Sequence, residues 1–328
     1  MLIDYCNNSL RVTGASLWLD TTRRKGLPET DIFYISHAHA DHAAAHSKIL
    51  ASRNTARLFR QRCDQGEIIT LDYNKPTVIN GAQVTLFPAG HILGSSQILI
   101  ETDKRVVYTG DFKMTPVDTA EKIEIKPCDV LIMECTFGKP EYFFPEREKV
   151  VQKLIDFVEN TLSHRRIPVV YAYSLGKGQE VIKILGQRGY QLSVHKTIYE
   201  MARVYEELGV RLANYERFDS HSLKNKVVIM PPYARNLGWI KQLNRKRTVI
   251  LTGWAVDPEA AKLWGTDLQL PLSDHADFVE LIAYVLVAKP QKVYTLHGPP
   301  DFAKHLRRKG IDAEHLPATR QLKLWDDL

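Results

Sequence analysis

The sequence predicts an α/β protein in which one α/β domain is inserted into another. Residues 1–139 contain short apolar runs separated by glycine-containing turns, a pattern typical of strands. From Pro140 to residue 267, apolar runs alternate with segments of helical spacing, as in a parallel sheet covered by helices. After residue 267 the first pattern returns. We therefore predict that residues 1–139 and 268–328 form one domain and that residues 140–267 form the insert.

In the first domain, short runs rich in β-branched and aromatic residues predict strands. They lie at residues 10–12, 17–19, 32–35, 84–87, 97–100, 106–108 and 130–133. The alanines at 43–45 favour a helix that begins shortly after the third of these strands.

The insert and the segment after it show the helical and strand patterns in alternation. In the insert, helices are predicted at 145–162, 178–185 and 197–208, and strands at 169–173, 192–194, 227–230 and 248–251. The returning segment predicts a helix at 278–287, a strand at 292–296 and a final helix at 301–308.

Composition indicates a soluble globular protein, because 44% of the 328 residues are hydrophobic and 25% are charged. We find no apolar run near the ~20 residues of a membrane helix and no signal-peptide pattern. The four cysteines (Cys6, Cys63, Cys128 and Cys135) form no C-x-x-C pair, which favours a reduced, cytoplasmic location.

The chain is moderately basic, with 44 Lys and Arg against 38 Asp and Glu, a net charge of +6. This balance suits a polyanionic partner such as nucleic acid. It is weak support by itself, because a single basic cluster is more often a solvated face than a phosphate contact.

The string at 36–42 packs three histidines and an aspartate directly after a predicted strand. Residues two apart in an extended segment point the same way, so His37 and His39 can hold one metal ion while Asp41 and His42 turn toward a second. Neutral imidazole and carboxylate are ligands that Zn²⁺ or Mn²⁺ accepts. A polar loop that is merely rich in histidine is the alternative, and the density of the pattern disfavours it.

Three further candidate ligands, His91, Asp111 and His297, each follow a predicted strand. Each of these residues, taken alone, is more often structural than a metal ligand. Their order in the chain after the string 36–42 favours a metal site. One metal ion is then assigned to His37, His39 and His91, and the second to Asp41, His42 and His297. Asp111 would bridge the two, and Asp20 would orient a ligand by a hydrogen bond. Two such ions favour displacement at phosphorus.

The H-x-H-x-D-H string resembles the signature of the metallo-β-lactamase fold, which implies a four-layer αβ/βα sandwich with metals at one edge. Glu134 in the string 133–138 and His275 in the string 272–277, together with His297, resemble motifs A, B and C of the β-CASP nucleases. The resemblance implies that His275 is the general acid and that Glu134 orients it. Capping roles at helix or strand ends are the alternative for these two residues.

The strings 134–140, 171–177 and 272–277 resemble the ligase-associated DNA exonucleases of bacteria and archaea. This resemblance implies work in DNA repair beside an ATP-dependent DNA ligase and a helicase. Cys135 stands where serine is usual. His297 keeps an RNA-processing nuclease as the alternative, because RNA-cutting relatives retain this histidine. A scaffold without activity and a small-molecule hydrolase are disfavoured by the complete ligand set and by the insert.

Lys177 lies in a glycine-rich segment, 174–179, that precedes a predicted helix of the insert. The segment lacks the spacing of a P-loop, but a helix N-terminus with a lysine suits phosphate. A phosphate contact and an ordinary turn both stay open for Lys177. We further expect the insert to form a narrow groove over the metals that favours a single strand.

Overall fold

The computed structural model describes residues 3–6, 9–316 and 322–323. The chain forms two compact units, the first made of Met1–Pro140 with His275–Leu328 and the second of Glu141–Asp274. In the described part of the chain, none of the helices combines the length and the apolar character that a membrane span requires.

The first sheet of the first unit opens with six strands in chain order. They are β1 (Ile3–Cys6), β2 (Ser9–Val12), β3 (Leu17–Leu19), β4 (Ile32–Tyr34), β5 (Lys48–Ser52) and β6 (Glu67–Leu71). The pairs from β1 to β3 are antiparallel and those from β3 to β6 are parallel. Strand β20 (Leu322–Lys323) pairs with β1 at the edge. Helix α1 (Arg53–Arg60) packs Ala56 and Phe59 against the outer face of this sheet.

The second sheet of this unit comes from both segments of the chain. Its strands are β7 (Thr77–Ile79), β8 (Ala82–Pro88), β9 (Ser96–Glu101), β10 (Arg105–Tyr108), β11 (Val130–Glu134), β18 (Lys292–Leu296) and β19 (Ala313–His315). Their spatial order is β19-β18-β11-β10-β9-β8-β7. The pairs from β7 to β10 are antiparallel, whereas β10, β11, β18 and β19 are parallel.

The two sheets share an apolar core, and helices cover their outer faces. Tyr34 and Leu50 of the first sheet lie in the same buried cluster as Ile98 and Ile132 of the second. Helices α7 (Phe278–Ala288) and α8 (Asp301–Arg308) bury one side against the outer face of the second sheet. The resulting order of layers is the αβ/βα sandwich that the resemblance to the metallo-β-lactamase fold implies.

The second unit is built on a parallel sheet with the order β14-β13-β15-β12-β16-β17. The strands are β12 (Ile167–Tyr171), β13 (Gln191–Val194), β14 (Tyr215–Arg217), β15 (Lys226–Met230), β16 (Lys246–Leu251) and β17 (Leu268–Leu270). Helices α2 (Arg147–Ser163), α3 (Lys177–Gly186) and α4 (Lys196–Glu207) pack on one face, and α5 (Gly238–Gln242) on the other. Helix α6 (Pro258–Lys262) follows β16. Successive residues of β12 alternate between the two cores, as both faces are covered.

Two details differ from the sequence-based expectation. The chain at 43–47 is irregular and enters β5 at Lys48, so the helix expected at 43–45 is absent. Three alanines cannot offset the cost of starting a helix when a strand follows at once. The return to the first unit comes after Asp274 rather than at 268, because β17 pairs with β16. The other predicted elements begin and end within two residues of the observed ones.

Candidate metal centre and active site

Strand ends of the first unit bring its chemically active side chains together. The strands β3 and β4 are parallel in the first sheet, as are β10, β11 and β18 in the second. Strand β8 runs the same way as β10, because each is antiparallel to β9. The residues at or just after the carboxyl ends of these strands are Asp20, the string 36–42, His91, Asp111, Glu134 and His297.

Three imidazoles surround the carboxylate of Asp111. Its Oδ2 lies 3.3 Å from Nε2 of His42, 3.5 Å from Nε2 of His37 and 3.9 Å from Nε2 of His91. All four side chains are buried. The half-buried His39 joins them, with its Nδ1 3.1 Å from Nε2 of His91.

Burial and neighbouring charges set the protonation states in this cluster. Burial, and then His42 and His91, hold the pKa of His37 well below its usual value, so its ring is neutral. Burial favours a protonated Asp111, but His42 and His275 outweigh it and hold the Asp111 pKa well below the usual range. Burial also lowers the pKa of His42, yet Asp111 and Asp20 raise it well above the usual value. A carboxylate and a neutral imidazole are therefore present at neutral pH.

The donor set fits a divalent metal ion. Nε2 of His37 is buried and has no hydrogen-bond partner among the described residues. The facing nitrogens of His39 and His91 need a proton or a cation between their lone pairs. Ligand atoms bonded at ~2.0–2.1 Å to a tetrahedral zinc ion stand roughly 3.3 Å apart. The separations around Asp111 are of this size, and single ligand atoms of His37, His39 and His91 all lie within 4.8 Å of one another.

Two of the sequence-predicted ligands lie farther out. The side chain of Asp41 is 80% exposed, and its Oδ2 is 4.0 Å from Nε2 of His42. His297 is exposed, with its ring centre 5.4 Å from that of His42. The backbone of His297 has a φ of 55°, a left-handed conformation that is costly outside glycine. Their assignment to a second ion stays a prediction.

A buried carboxylate, Asp20, holds His42 in place. It accepts a hydrogen bond from Nδ1 of His42 at 2.9 Å, so Nε2 of that ring faces Asp111. The backbone N–H of Ser36 and the hydroxyl of Tyr108 also donate to Asp20, at 2.7 and 2.9 Å. Sequence reasoning missed Ser36 and Tyr108. The only signal was position, since Ser36 begins the histidine string and Tyr108 ends a strand just before Asp111.

Glu134 and His275 form a hydrogen-bonded pair beside the imidazoles that surround Asp111. Oε1 of Glu134 lies 3.0 Å from Nδ1 of His275 and accepts the N–H of Phe112 at 3.1 Å, while Oε2 accepts the N–H of Thr136. Glu134 is buried, whereas the His275 side chain is 22% exposed. The ring centre of His275 is 4.7 Å from that of His91. With Nδ1 held, Nε2 of His275 is the atom that can give or take a proton.

Close packing between strand ends constrains the neighbouring positions. A Cβ on Gly298 would meet the carbonyl oxygen of Cys135 at 1.9 Å, so only glycine fits after His297. The Cys135 thiol is buried and donates to the carbonyl of Leu296 at 3.4 Å. Burial, with Glu134 beside it, raises the pKa of Cys135 to about 12, so the thiol stays protonated.

Lys177, predicted from the sequence as a phosphate contact, is the first residue of α3 in the second unit. Its side chain is 2% exposed, and Nζ lies 2.8 Å from Oδ1 of Asp274. The ammonium also lies over the ring of Tyr173, 5.7 Å from its centre. Its charge is thus matched by a carboxylate of the same unit, and the phosphate contact stays a prediction.

An imidazole and carboxylate cluster at one edge of an αβ/βα sandwich defines a metal-dependent hydrolase. Comparison with known families agrees: the model of the "Beta-lactamase superfamily domain" matches residues 1–166, and that of the "Zn-dependent metallo-hydrolase RNA specificity domain" matches residues 268–319. The chain belongs to the metallo-β-lactamase superfamily and, within it, to the β-CASP nucleases.

Some of the proteins similar to this chain have names that refer to DNA, and others have names that refer to RNA. The chain is 38% identical over 296 residues to a probable DNA ligase of Opitutus terrae, covering 89% of this chain and 29% of that protein. It is 24% identical over 348 residues to an RNase J-like protein of Methanocaldococcus jannaschii, covering 82% and 81%. It is 21% identical over 308 residues to the DNA cross-link repair 1A protein of Gallus gallus, covering 86% and 32%. The chain thus spans under a third of the ligase and of the cross-link repair protein.

A solved structure of a protein of unknown function from Enterococcus faecalis shares the fold. The TM-score is 0.62 at 16% identity, and the match covers 89% of this chain and 81% of that one.

Proposed function

We propose that this protein is a two-metal nuclease that hydrolyses phosphodiester bonds of DNA, acting as an exonuclease with a preference for single strands. One observation carries the proposal. Three imidazole nitrogens lie within 3.9 Å of one Asp111 oxygen, directly beside a histidine that a buried carboxylate orients. This arrangement combines a metal ligand set with a proton donor, the two components that phosphodiester hydrolysis needs.

Each residue has a proposed role. His37, His39 and His91 would hold one Zn²⁺ or Mn²⁺ ion, Asp41, His42 and His297 would hold a second, and Asp111 would contact both. When bound, the ions would activate water and offset negative charge at phosphorus. His275 donates a proton to the leaving oxygen from Nε2. Glu134 keeps the His275 ring in orientation, and Asp20 does the same for His42.

We further propose that the protein works in DNA repair beside an ATP-dependent DNA ligase and a helicase. A protein named as a probable DNA ligase resembles this chain over 29% of its own length, so a ligase-named polypeptide includes a region of this kind. A relative named for DNA cross-link repair supports the same context. Both observations concern the relatives, and they support the proposal for this chain by analogy.

An RNA-processing nuclease is the second candidate. It is favoured by the family model named for RNA specificity at residues 268–319 and by the RNase J-like relative, which the match covers over most of its length. His297, the histidine that RNA-cutting relatives are expected to retain, lies within residues 268–319.

One digestion experiment decides between the candidates. DNA and RNA of the same sequence, single- and double-stranded and labelled at the 5′ or 3′ end, are incubated with the full chain in Mn²⁺, Zn²⁺ or Mg²⁺. We expect stepwise shortening of single-stranded DNA from one end, lost on chelation and in Asp111→Ala. Faster cleavage of RNA would support the second candidate, and internal cuts would contradict an exonuclease. No cleavage of any substrate with any metal would overturn the proposal.

A further inference from the structure

We infer that the carboxyl edge of the parallel sheet in the second unit is a binding track for the bases of a single nucleic-acid strand. The inference deepens the proposed function, on which it rests for the class of ligand. It concerns a set of exposed aromatic rings that neither the metal centre nor the sandwich core uses.

Each of five adjacent strands is followed at the same edge by an aromatic or imidazole ring. In the spatial order β14, β13, β15, β12 and β16, the rings are those of Phe218, His195, Tyr233, Tyr173 and Trp254. Because these strands are parallel, all five rings follow carboxyl ends. Neighbouring strands lie ~4.8 Å apart, so the rings are spaced closely along the edge. We call this set the ring row.

Three consecutive rings of the row are exposed, unlike the aromatic residues of a core. Tyr233 is 57% exposed, Tyr173 43% and Trp254 38%. The rings nevertheless have neighbours that restrict them: the centre of His195 is 5.9 Å from that of Tyr233, and the centre of Tyr142 is 5.7 Å from that of Trp254. Exposed and supported aromatic faces of this kind are what bases stack on.

Positive charge accompanies the rings at one end of the row. A cleft of about 360 Å³ is lined by His195, Lys196, Arg217, Phe218 and Ser220. Arg217 is exposed. Lys196 is 3.6 Å from Glu200, but the two side chains are 58% and 40% exposed, and such a pair contributes little in water. A phosphate can therefore compete with Glu200 for Lys196.

Exposed ring faces with cations at one end of the row fit a single strand better than other partners. The backbone of a single strand meets the cations while its unpaired bases stack on the rings, which requires no sequence preference. A duplex keeps its base faces inside the helix and has none to offer to the rings. The row thus accounts for a preference for single strands with residues of one unit alone.

The test measures binding without cleavage. The full chain in EDTA is titrated against a fluorescent oligothymidine of ~15 nucleotides and against an abasic oligomer of equal length, by fluorescence anisotropy. We expect the wild-type protein to bind the base-containing strand at least tenfold more tightly. Tyr173→Ala, Tyr233→Ala and Trp254→Ala should each weaken that binding about fivefold or more, since stacking on one ring contributes that much, and leave the abasic strand unaffected.

Matched variants separate the ring from other effects. Tyr233→Phe keeps the ring and should bind as the wild type does. Tyr190→Ala removes an aromatic residue that directly precedes β13, at the opposite edge, and should leave both affinities unchanged. Arg217→Ala should weaken binding of both strands and reduce the salt dependence, because it removes a phosphate contact. Thermal unfolding of each variant checks its fold.

Several outcomes overturn the inference. These are equal wild-type affinity for the two strands, a triple alanine variant that binds as the wild type does, or equal losses on both strands. If an alanine variant fails to fold, the wild-type comparison of the two strands still decides. Cleavage assays stay separate: an active nuclease without base-dependent binding refutes only the ring row, whereas base-dependent binding without cleavage in any metal refutes only the proposed function.

Discussion

Nδ1 of His275 lies 3.0 Å from Oε1 of Glu134, a contact that joins residues 141 positions apart in the chain. Glu134 cannot turn away easily, because the backbone N–H groups of Phe112 and Thr136 also donate to its carboxylate. The Nδ1 hydrogen of the imidazole thereby points to Glu134, and we assign the proton donation to Nε2. Since a ligand atom of His275 also lies within 4.8 Å of those of His91 and Asp111, a role as metal ligand must be separated from one as acid.

His275→Ala should slow DNA cleavage by roughly 10²–10⁴-fold and leave the metal content at the wild-type level. A nitrophenyl phosphodiester should be affected much less, because its leaving group needs no proton. Metal analysis and the two rates measure this. A loss of metal would make His275 a ligand, and equal losses on both substrates would exclude it as the acid. Glu134→Gln is the companion variant, and it should shift the pH profile on DNA.

Asp111→Ala should abolish cleavage and lower the metal content, because it removes the carboxylate on which three imidazoles converge. Asp41→Ala, which removes a proposed ligand of the second ion, is the comparison variant. Its carboxylate is 80% exposed, so we expect a smaller loss of metal than in Asp111→Ala. Metal content per chain after gel filtration measures both. Full activity in Asp111→Ala is incompatible with the assigned ligand set.

Asp20→Asn should weaken metal binding by about 10–100-fold, since it removes the charged acceptor that orients His42. Tyr108→Phe, which deletes one hydrogen bond to Asp20, should have a smaller effect. Competition with a chromogenic chelator measures the affinities. Equal affinities in Asp20→Asn and the wild type would exclude a role for Asp20 in ligand orientation.

Lys177→Ala should lower the free energy of unfolding by up to ~3–5 kcal/mol, because it removes a buried ammonium that lies 2.8 Å from the mostly buried Asp274 carboxylate. Lys149→Ala breaks an exposed ion pair with Glu146 and should change the free energy of unfolding by less than ~1 kcal/mol. Denaturant unfolding measures both. The salt dependence of DNA binding tests the phosphate contact. If Lys177 contacts a phosphate, Lys177→Ala lowers the slope of log affinity against log salt concentration by ~1. An unchanged slope would mean that Lys177 binds Asp274 and no phosphate.

Cys135→Ser should leave activity unchanged, because a serine hydroxyl can donate to the same Leu296 carbonyl. Native Cys135 should also resist alkylation at pH 8, as its pKa is raised to about 12. The folded thiol stays protonated while an unfolded one ionises near pH 8.5, so this stabilising contribution is full below that pH and is lost as the pH rises toward 12. Rapid modification of native Cys135 would contradict this.

Local patterns made much of the candidate site predictable. The string 36–42 and the residues His91, Asp111 and His297 could be recognised because each directly follows a strand-like run. The supporting contacts could not, since they depend on which strands become neighbours: Tyr108 reaches Asp20 across 88 residues of sequence. The pairing of Lys177 with Asp274 could not be predicted for the same reason, because the two residues lie 97 positions apart in the chain. The ring row requires the strand order, which no local pattern gives.

The order of strands in the second sheet has a consequence for synthesis on the ribosome. Strand β11 pairs with β10 on one side and with β18 on the other, yet about 160 residues separate β11 from β18 in the chain. At ~5–20 residues per second, roughly 8–30 s pass between the synthesis of the apolar β11 and that of β18. An open edge of this kind readily pairs with another nascent chain. The second unit is synthesised within that interval, so a delay in its translation prolongs the exposure of β11 and favours aggregation of the nascent chains.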